Sequence, residues 1–176
     1  MPRLFTIALF ASAGLIVLLV IPVGFVGGTR IVDSIDIEWP PAEVFDYVTT
    51  PGNWPRWHPA SLKVAGAIDH PLAPGEKVIE DFLITRRTGR ALWTVVERDR
   101  PRRWTIEGHV EGGGEGTVCY LLRPQNHGTR FVREFVYQRA NLFIAALDAL
   151  YVRGRIAAES TEALRRLKAE LEKSPR

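Results

Sequence analysis

One cysteine, Cys119, stands in 176 residues. An internal disulfide and a cysteine-ligated zinc site are therefore excluded. The residue falls in the apolar stretch TVCYLLR, where a buried, inert thiol is the expected form. The four histidines, His58, His70, His109 and His127, include no HExxH pair. No GxSxG elbow is present, and Gly112-Gly113-Gly114 lacks the lysine of a phosphate-binding loop and opens no helix. There is no internal repeat and no low-complexity segment. Charge of one sign is also lacking, since the net charge is only +3. Arginines cluster twice, as Arg86, Arg87 and Arg90 and as Arg98, Arg100, Arg102 and Arg103. Both clusters fall at hairpin ends, so they are expected at opposite ends of a sheet rather than on one basic face, as nucleic-acid binding requires. Solvated turns are the expected reading, with contact between one of them and anionic lipid head groups as the alternative. The expectation is of no metal, no cofactor and no nucleic-acid partner.

What the chain does have is a long uncharged run. Residues 4–28, LFTIALFASAGLIVLLVIPVGFVGG, carry no ionisable side chain. As a helix the run is about 37 Å long at roughly 1.5 Å per residue, against about 30 Å of hydrocarbon core. It is long enough to span a bilayer with some tilt. Ala11-Ser12-Ala13 resembles a signal-peptide cleavage site, yet the apolar run continues past it through GLIVLLVIPVGFV. Cleavage there would leave a sticky apolar terminus, which favours an uncleaved anchor. Pro22 is compatible with a membrane helix. Residues 1–28 are thus expected to be a transmembrane anchor and residues 29–176 one folded domain, in a single-pass protein of a bacterial cytoplasmic membrane. Arg3 and the terminal amine precede the span and Arg30 follows it, a slight lean towards an exported domain.

Beyond the anchor the hydrophobic period is two. Ile31, Asp33, Ile35 and Ile37 alternate with Val32, Ser34, Asp36 and Glu38, which predicts a strand over 29–39. Pro40-Pro41 ends it, and Pro41 suits the first turn of a helix. PAEVFDYVTT places Val44, Phe45 and Val48 on one helical side and stops before Pro51. PGNWPRWHP, residues 51–59, packs three prolines and two tryptophans into nine positions, a rigid connection that excludes a regular helix or central strand. Strand patterns follow at 61–69, 75–87, 90–99, 102–111, 117–123 and 129–139, with a hairpin turn expected at Thr88-Gly89. From Asn141 the period changes. Phe143, Leu147, Leu150, Ala157, Leu164, Leu167 and Leu171 are spaced as in one long amphipathic helix, with Gly154 as a point of close contact or kinking. Antiparallel strands covered by one long helix make an α+β layer fold.

Several residues qualify as chemistry. Glu107, His109 and Glu111 share a strand face, but it is the polar face, so a solvated surface is favoured over a metal site. Glu80 and Asp81 are adjacent in VIEDFLI and must point to opposite faces. One of them therefore faces the interior, and Arg133 and Glu134 in RFVREFV repeat the situation. A buried carboxylate has a raised pKa unless paired. A cross-strand ion pair at a cavity rim is the competing reading. The aromatic residues suit either a solid core or the wall of an apolar cavity.

Four stretches carry a family resemblance: IEWPPAEVFDYVTTPGNWPRWHP, ERDRPRRWTIEG, GTRFVREF and the final helix. Together, over about residues 29–172, they resemble the START-like (SRPBCC) superfamily, in particular its polyketide cyclase/dehydrase and lipid-transport branch. The resemblance implies a helix-grip fold, a curved antiparallel sheet around a long C-terminal helix, here preceded by one transmembrane helix. It also implies an apolar cavity between sheet and helix. The expected lining is Trp54, Trp57, His58, Phe82, Trp93, Trp104, Ile106, Tyr120 and Phe135. The expected partner is a hydrophobic small molecule or lipid, with membrane attachment through residues 4–28. A cyclase or dehydratase using Arg56, His58, Glu80 or Asp81, and a protein-interaction module using the apolar groove, are the alternatives.

Overall fold

A computed structural model describes residues 28–173 except 85, 126 and 140. All of the expected membrane span except Gly28 lies outside the described residues. Among the described residues, no helix is long and apolar enough to cross a membrane.

Strand β1 (Gly28–Ile37) turns Thr29, Ile31 and Ile37 inward and Arg30, Val32 and Asp36 outward, as the alternation predicts. Helix α1 (Pro41–Thr49) starts with its proline in the first turn and buries Val44, Phe45 and Val48. It stops where Pro51 forbids a further turn. There Thr49 Oγ1 donates to the Phe45 carbonyl at 2.8 Å and Thr50 Oγ1 to that of Asp46 at 2.7 Å. A 3₁₀ turn (Pro51–Asn53) and the single-turn helix α2 (Trp54–Trp57) follow.

Six further strands complete the sheet: β2 (Ser61–Gly66), β3 (Lys77–Ile84), β4 (Arg87–Asp99), β5 (Arg103–Val110), β6 (Glu115–Gln125) and β7 (Gly128–Gln138). The sheet is antiparallel throughout, in the order β1-β7-β6-β5-β4-β3-β2. Consecutive hairpins build all of it except the β1–β7 pairing, which brings the first strand beside the last. The seven strands and the long C-terminal helix fit the helix-grip arrangement.

The β3–β4 turn differs from expectation. It falls between Ile84 and Arg87, with Arg86 at φ 66°, while Thr88 and Gly89 belong to β4. Gly89 is needed in the strand instead. A Cβ there would lie 2.4 Å from the ring of Phe82, its partner in register.

The C-terminal helix is not uniform. Helix α3 (Leu142–Leu147) passes through a π-turn (Asp148–Val152) into helix α4 (Arg153–Lys173). The irregularity coincides with Asp148, which is pulled inward. Its carboxylate accepts from Thr29 Oγ1 at 2.5 Å and from the Tyr137 hydroxyl. Gly154 makes no close contact, since a Cβ there would meet nothing within 4 Å. Leu164, Leu167 and Leu171 are buried against the sheet as expected. Phe143, Leu147 and Leu150 are not; Leu150 is 84% exposed.

The core fills the concave side of the sheet beneath α1 and the C-terminal half of α4. Trp104, Phe131, Phe45, Leu72 and Leu167 are fully buried there. Towards the other end, where Gly28 begins β1 and the chain enters α3, the packing gives way to a cavity.

Candidate functional site

The cavity has a volume of about 280 Å³ and lies between the sheet and α4. The residues 51–59 build its inner end. Trp54 and Trp57 are one helical turn apart, so both point inward, while Arg56 is exposed. Trp54 donates its indole N–H to the Val48 carbonyl at 2.9 Å. Trp57 is 1% exposed, and its Nε1 has no hydrogen-bond partner. Tyr120 closes this end, tilted against Trp57 at 6.3 Å between ring centroids. At the opposite end the rim is formed by Gly114, Glu115 and Gln138, all exposed.

The walls are aromatic, and three strand glycines set how the rings lie. A Cβ at Gly108 would fall 2.5 Å from Trp93, one at Gly89 2.4 Å from Phe82, and one at Gly116 2.9 Å from Phe135. Each ring therefore lies across a glycine, flat against the sheet. The space above the rings stays open because the space beneath them holds no side chain. An isolated glycine within a strand pattern signals such a close approach. That signal is present in the sequence at Gly108, inside the strand expected over 102–111, whereas Gly89 and Gly116 fall in stretches that read as turns.

Eight of the nine expected lining residues line the cavity: Trp54, Trp57, His58, Phe82, Trp93, Ile106, Tyr120 and Phe135. Trp104 does not. It is fully buried one layer behind, stacked on Tyr120 at 5.3 Å, with its Nε1 donating to the Leu72 carbonyl at 3.3 Å. Its packing role follows from register, which pairs Trp104 with Tyr120 nearer the solid core.

Polar groups gather towards the inner end. Glu80 points inward and Asp81 outward, where Asp81 is bound by Arg90 at 2.7 Å. Glu80 accepts from Trp93 Nε1 at 2.7 Å. Desolvation raises its pKa above the ordinary carboxylate value, opposed by Ser61, Trp93 and the charge of Arg133. His58 also lines the cavity. Burial, aided by Arg133, holds its pKa well below the usual imidazole value, so the ring is neutral. Its Nδ1 has no partner. Burial pushes the Tyr120 phenol up to about 12.

Arg133, on β7, is absent from the expected lining. Its position inside follows from alternation, because Glu134 is turned outward to Arg30. Arg133 is 7% exposed. Its Nη1 donates to Ser160 Oγ at 3.1 Å, its guanidinium lies 5.5 Å from the centre of the Phe135 ring, and its Nε has no partner. Ser160, Ile156 and Val152 complete the lining from the C-terminal helix. They were not legible as site residues because their helical face is shared with ordinary core positions.

Glu107 and His109 lie exposed on the outer face of the sheet and Glu111 in the following turn. Among the described residues no group of three or more His, Cys, Asp or Glu side chains could hold a metal ion. Arg86 and Arg87 lie at the Gly28 end, and Arg100, Arg102 and Arg103 at the opposite end. The latter three are paired with Asp46, Asp99 and Glu97.

Residues 28–172 match the model of a family described as polyketide cyclase/dehydrase and lipid transport. No curated protein matches the chain. Among solved structures, a conserved protein from Geobacillus kaustophilus aligns with TM-score 0.65 at 17% identity, over 83% of this chain and 97% of that one. A Rhodobacter sphaeroides protein aligns with TM-score 0.62 at 23% identity, over 82% and 92%. DynU16, a protein of the dynemicin biosynthetic locus, aligns with TM-score 0.60 at 17% identity, over 81% of this chain and 47% of that one. At these identities the likeness is one of fold.

Proposed function

The chain belongs to the polyketide cyclase/dehydrase and lipid-transport family, and from that premise we propose that it is a membrane-anchored domain that binds a hydrophobic small molecule or lipid between its sheet and C-terminal helix. The observation that carries this reading is the cavity itself. It has flat aromatic walls, glycines that keep it open, and a few polar groups at one end that could orient a ligand. Extraction of the full chain purified in mild detergent, followed by mass spectrometry, tests it. A co-purifying apolar molecule in near-stoichiometric amount is expected. An interior found solidly packed in an experimental structure would overturn the reading.

Attachment to a membrane is supported by where things lie. The uncharged run enters the fold at Gly28. Thr29 is hydrogen-bonded to Asp148, so the π-turn sits beside that entry. Leu142, Phe143, Ile144, Leu147, Leu150 and Tyr151 are exposed on the segment around it. Arg86 and Arg87 are exposed at the same end of the sheet. An apolar cluster with basic residues nearby suits an anionic bilayer surface. The domain is proposed to face the exported side. Membrane fractionation and protease protection of intact cells test attachment and sidedness. Recovery in the soluble fraction counts against the first, and protection from external protease against the second.

A cyclase or dehydratase would have to draw on His58 and Glu80, because Arg56 is exposed and Asp81 lies on the outer face. Turnover of a polyketide-like substrate that is lost in both His58→Asn and Glu80→Gln would favour it.

A further inference from the structure

Arg133 is an uncommon thing to find beside an apolar cavity. A guanidinium carries five N–H donors and stays charged at any pH the protein meets. Burying one without an ionic partner is costly. Several inward-facing polar groups in this region have found protein partners: Trp54 holds Val48, Glu80 holds Trp93, and Thr29 and Tyr137 hold Asp148. Within the fold Arg133 donates to Ser160 and interacts with the Tyr120 hydroxyl, both neutral groups. Its Nε has no partner. Among the described residues no carboxylate lies within ion-pair distance of it. Glu80, the acidic residue whose charge it feels, gives its carboxylate to Trp93 instead.

The neighbours point the same way. Trp57 Nε1, a group that can only donate, also has no acceptor, and the Nδ1 of His58 has no partner. Arg133 Nε and Trp57 Nε1 can only donate, and neither has an acceptor. Phe82, Trp93, Ile106, Val118 and Phe135 make the wall between this end and the rim apolar, while the polar lining residues Glu115, Gln138 and Glu159 lie outside it.

We propose that the ligand is an acidic amphiphile, an apolar body carrying one carboxylate, with that carboxylate seated against Arg133. The inference rests on the ligand-binding reading above. A planar carboxylate matches the guanidinium fork, which a neutral alcohol or an ammonium cannot do. The aromatic walls formed by Phe82, Trp93 and Phe135 take the apolar body, which extends from Arg133 towards the exposed rim.

Three probes of equal length and body separate the possibilities: 6-phenylhexanoate, 6-phenylhexan-1-ol and 6-phenylhexylamine. Each is measured by equilibrium dialysis against the full chain in lipid nanodiscs, with binding to empty nanodiscs subtracted. The acid is expected to bind at least tenfold more tightly than the alcohol, with the amine weakest. Arg133→Met should abolish the preference by weakening the acid at least tenfold and leaving the alcohol within about twofold. Arg133→Lys should keep part of it. Should Arg133→Met fail to fold, the acid-to-alcohol ratio in the wild type and in Arg133→Lys still decides. Equal binding of acid and alcohol, or a preference for the amine, overturns the carboxylate proposal and leaves the apolar cavity standing. Binding of none of the three overturns the cavity reading as well.

Discussion

His58 and Glu80 face the same cavity, and burial acts on them with opposite sign. The imidazole is held neutral, its pKa well below the ordinary 6.5. An unfolded chain takes up a proton there that the folded chain refuses, so His58 makes the protein lose stability as pH falls from about 6.5 towards the folded value. Glu80 has a pKa raised above 4.5. Its protonated form is the one the fold favours, so its contribution is full below about 4.5 and is lost as pH rises through the folded value. Denaturant titrations at stepped pH should therefore show His58→Asn flattening the fall in stability as pH drops below about 6.5. Glu80→Gln should raise stability at pH 7, because the amide keeps an acceptor for Trp93 without a charge. An unchanged slope in the first variant, or a loss in the second, would contradict the environments described. Trp57 is the packing counterpart. It is 1% exposed, and Trp57→Ala should cost about 3–5 kcal/mol. An unchanged melting temperature together with unchanged ligand content would remove the loop 51–59 from the site.

At the scale of elements, the cavity depends on strand glycines more than on large side chains. A methyl at Gly108 would push into the Trp93 ring from 2.5 Å and lift it off the sheet into the cavity. Gly108→Ala is expected to destabilise by about 1–3 kcal/mol, as overpacking does. It should also weaken apolar probes more than that loss of folding explains, which binding to the fully folded fraction reads out. The π-turn is the second such device. Asp148 is 3% exposed and joins the C-terminal helix to β1 through Thr29 and to β7 through Tyr137. Asp148→Ala leaves two hydroxyl groups without their acceptor, at a cost of about 1–3 kcal/mol. Amide exchange should accelerate across 142–152 while 160–171 stays protected, since Leu164 and Leu167 are packed on the sheet independently. Uniform acceleration along the whole helix would show that Asp148 is not a local clasp.

For the whole molecule, the layout sets one end of the sheet apart. Gly28, the β3–β4 and β5–β6 turns, the cavity rim and the exposed apolar residues of 142–151 share that end. The far end holds α1, the solid core and arginines already engaged by acidic partners. A domain bound to a bilayer at the first end would present its cavity rim to lipid. Replacing Leu147 and Leu150 by Glu should lower co-flotation of the domain with anionic vesicles without lowering its melting temperature, because both side chains are exposed. Unchanged flotation would assign the patch elsewhere, to a protein partner for instance.

The sequence by itself determined the element order and the seven strands, and the family resemblance it carries pointed to the aromatic part of the cavity wall. Alternation and helical spacing are local rules, and they held even for the inward turn of Glu80 and the outward turn of Asp81. Where local rules failed, a long-range contact decided. The turn expected at Thr88-Gly89 moved because Gly89 was required beneath Phe82. Trp104 and Tyr120 are equally apolar and both face inward, yet only Tyr120 reaches the cavity, since depth along the sheet depends on register with neighbouring strands. The exposed face of 142–151 reads as core in a helical pattern, because periodicity shows which residues share a face and not whether anything covers it. Only the tertiary structure brings Arg133 beside Trp57 and His58 in one cavity. A cluster drawn from β7 and the first loop is a matter of chain return, and no spacing along the sequence encodes it.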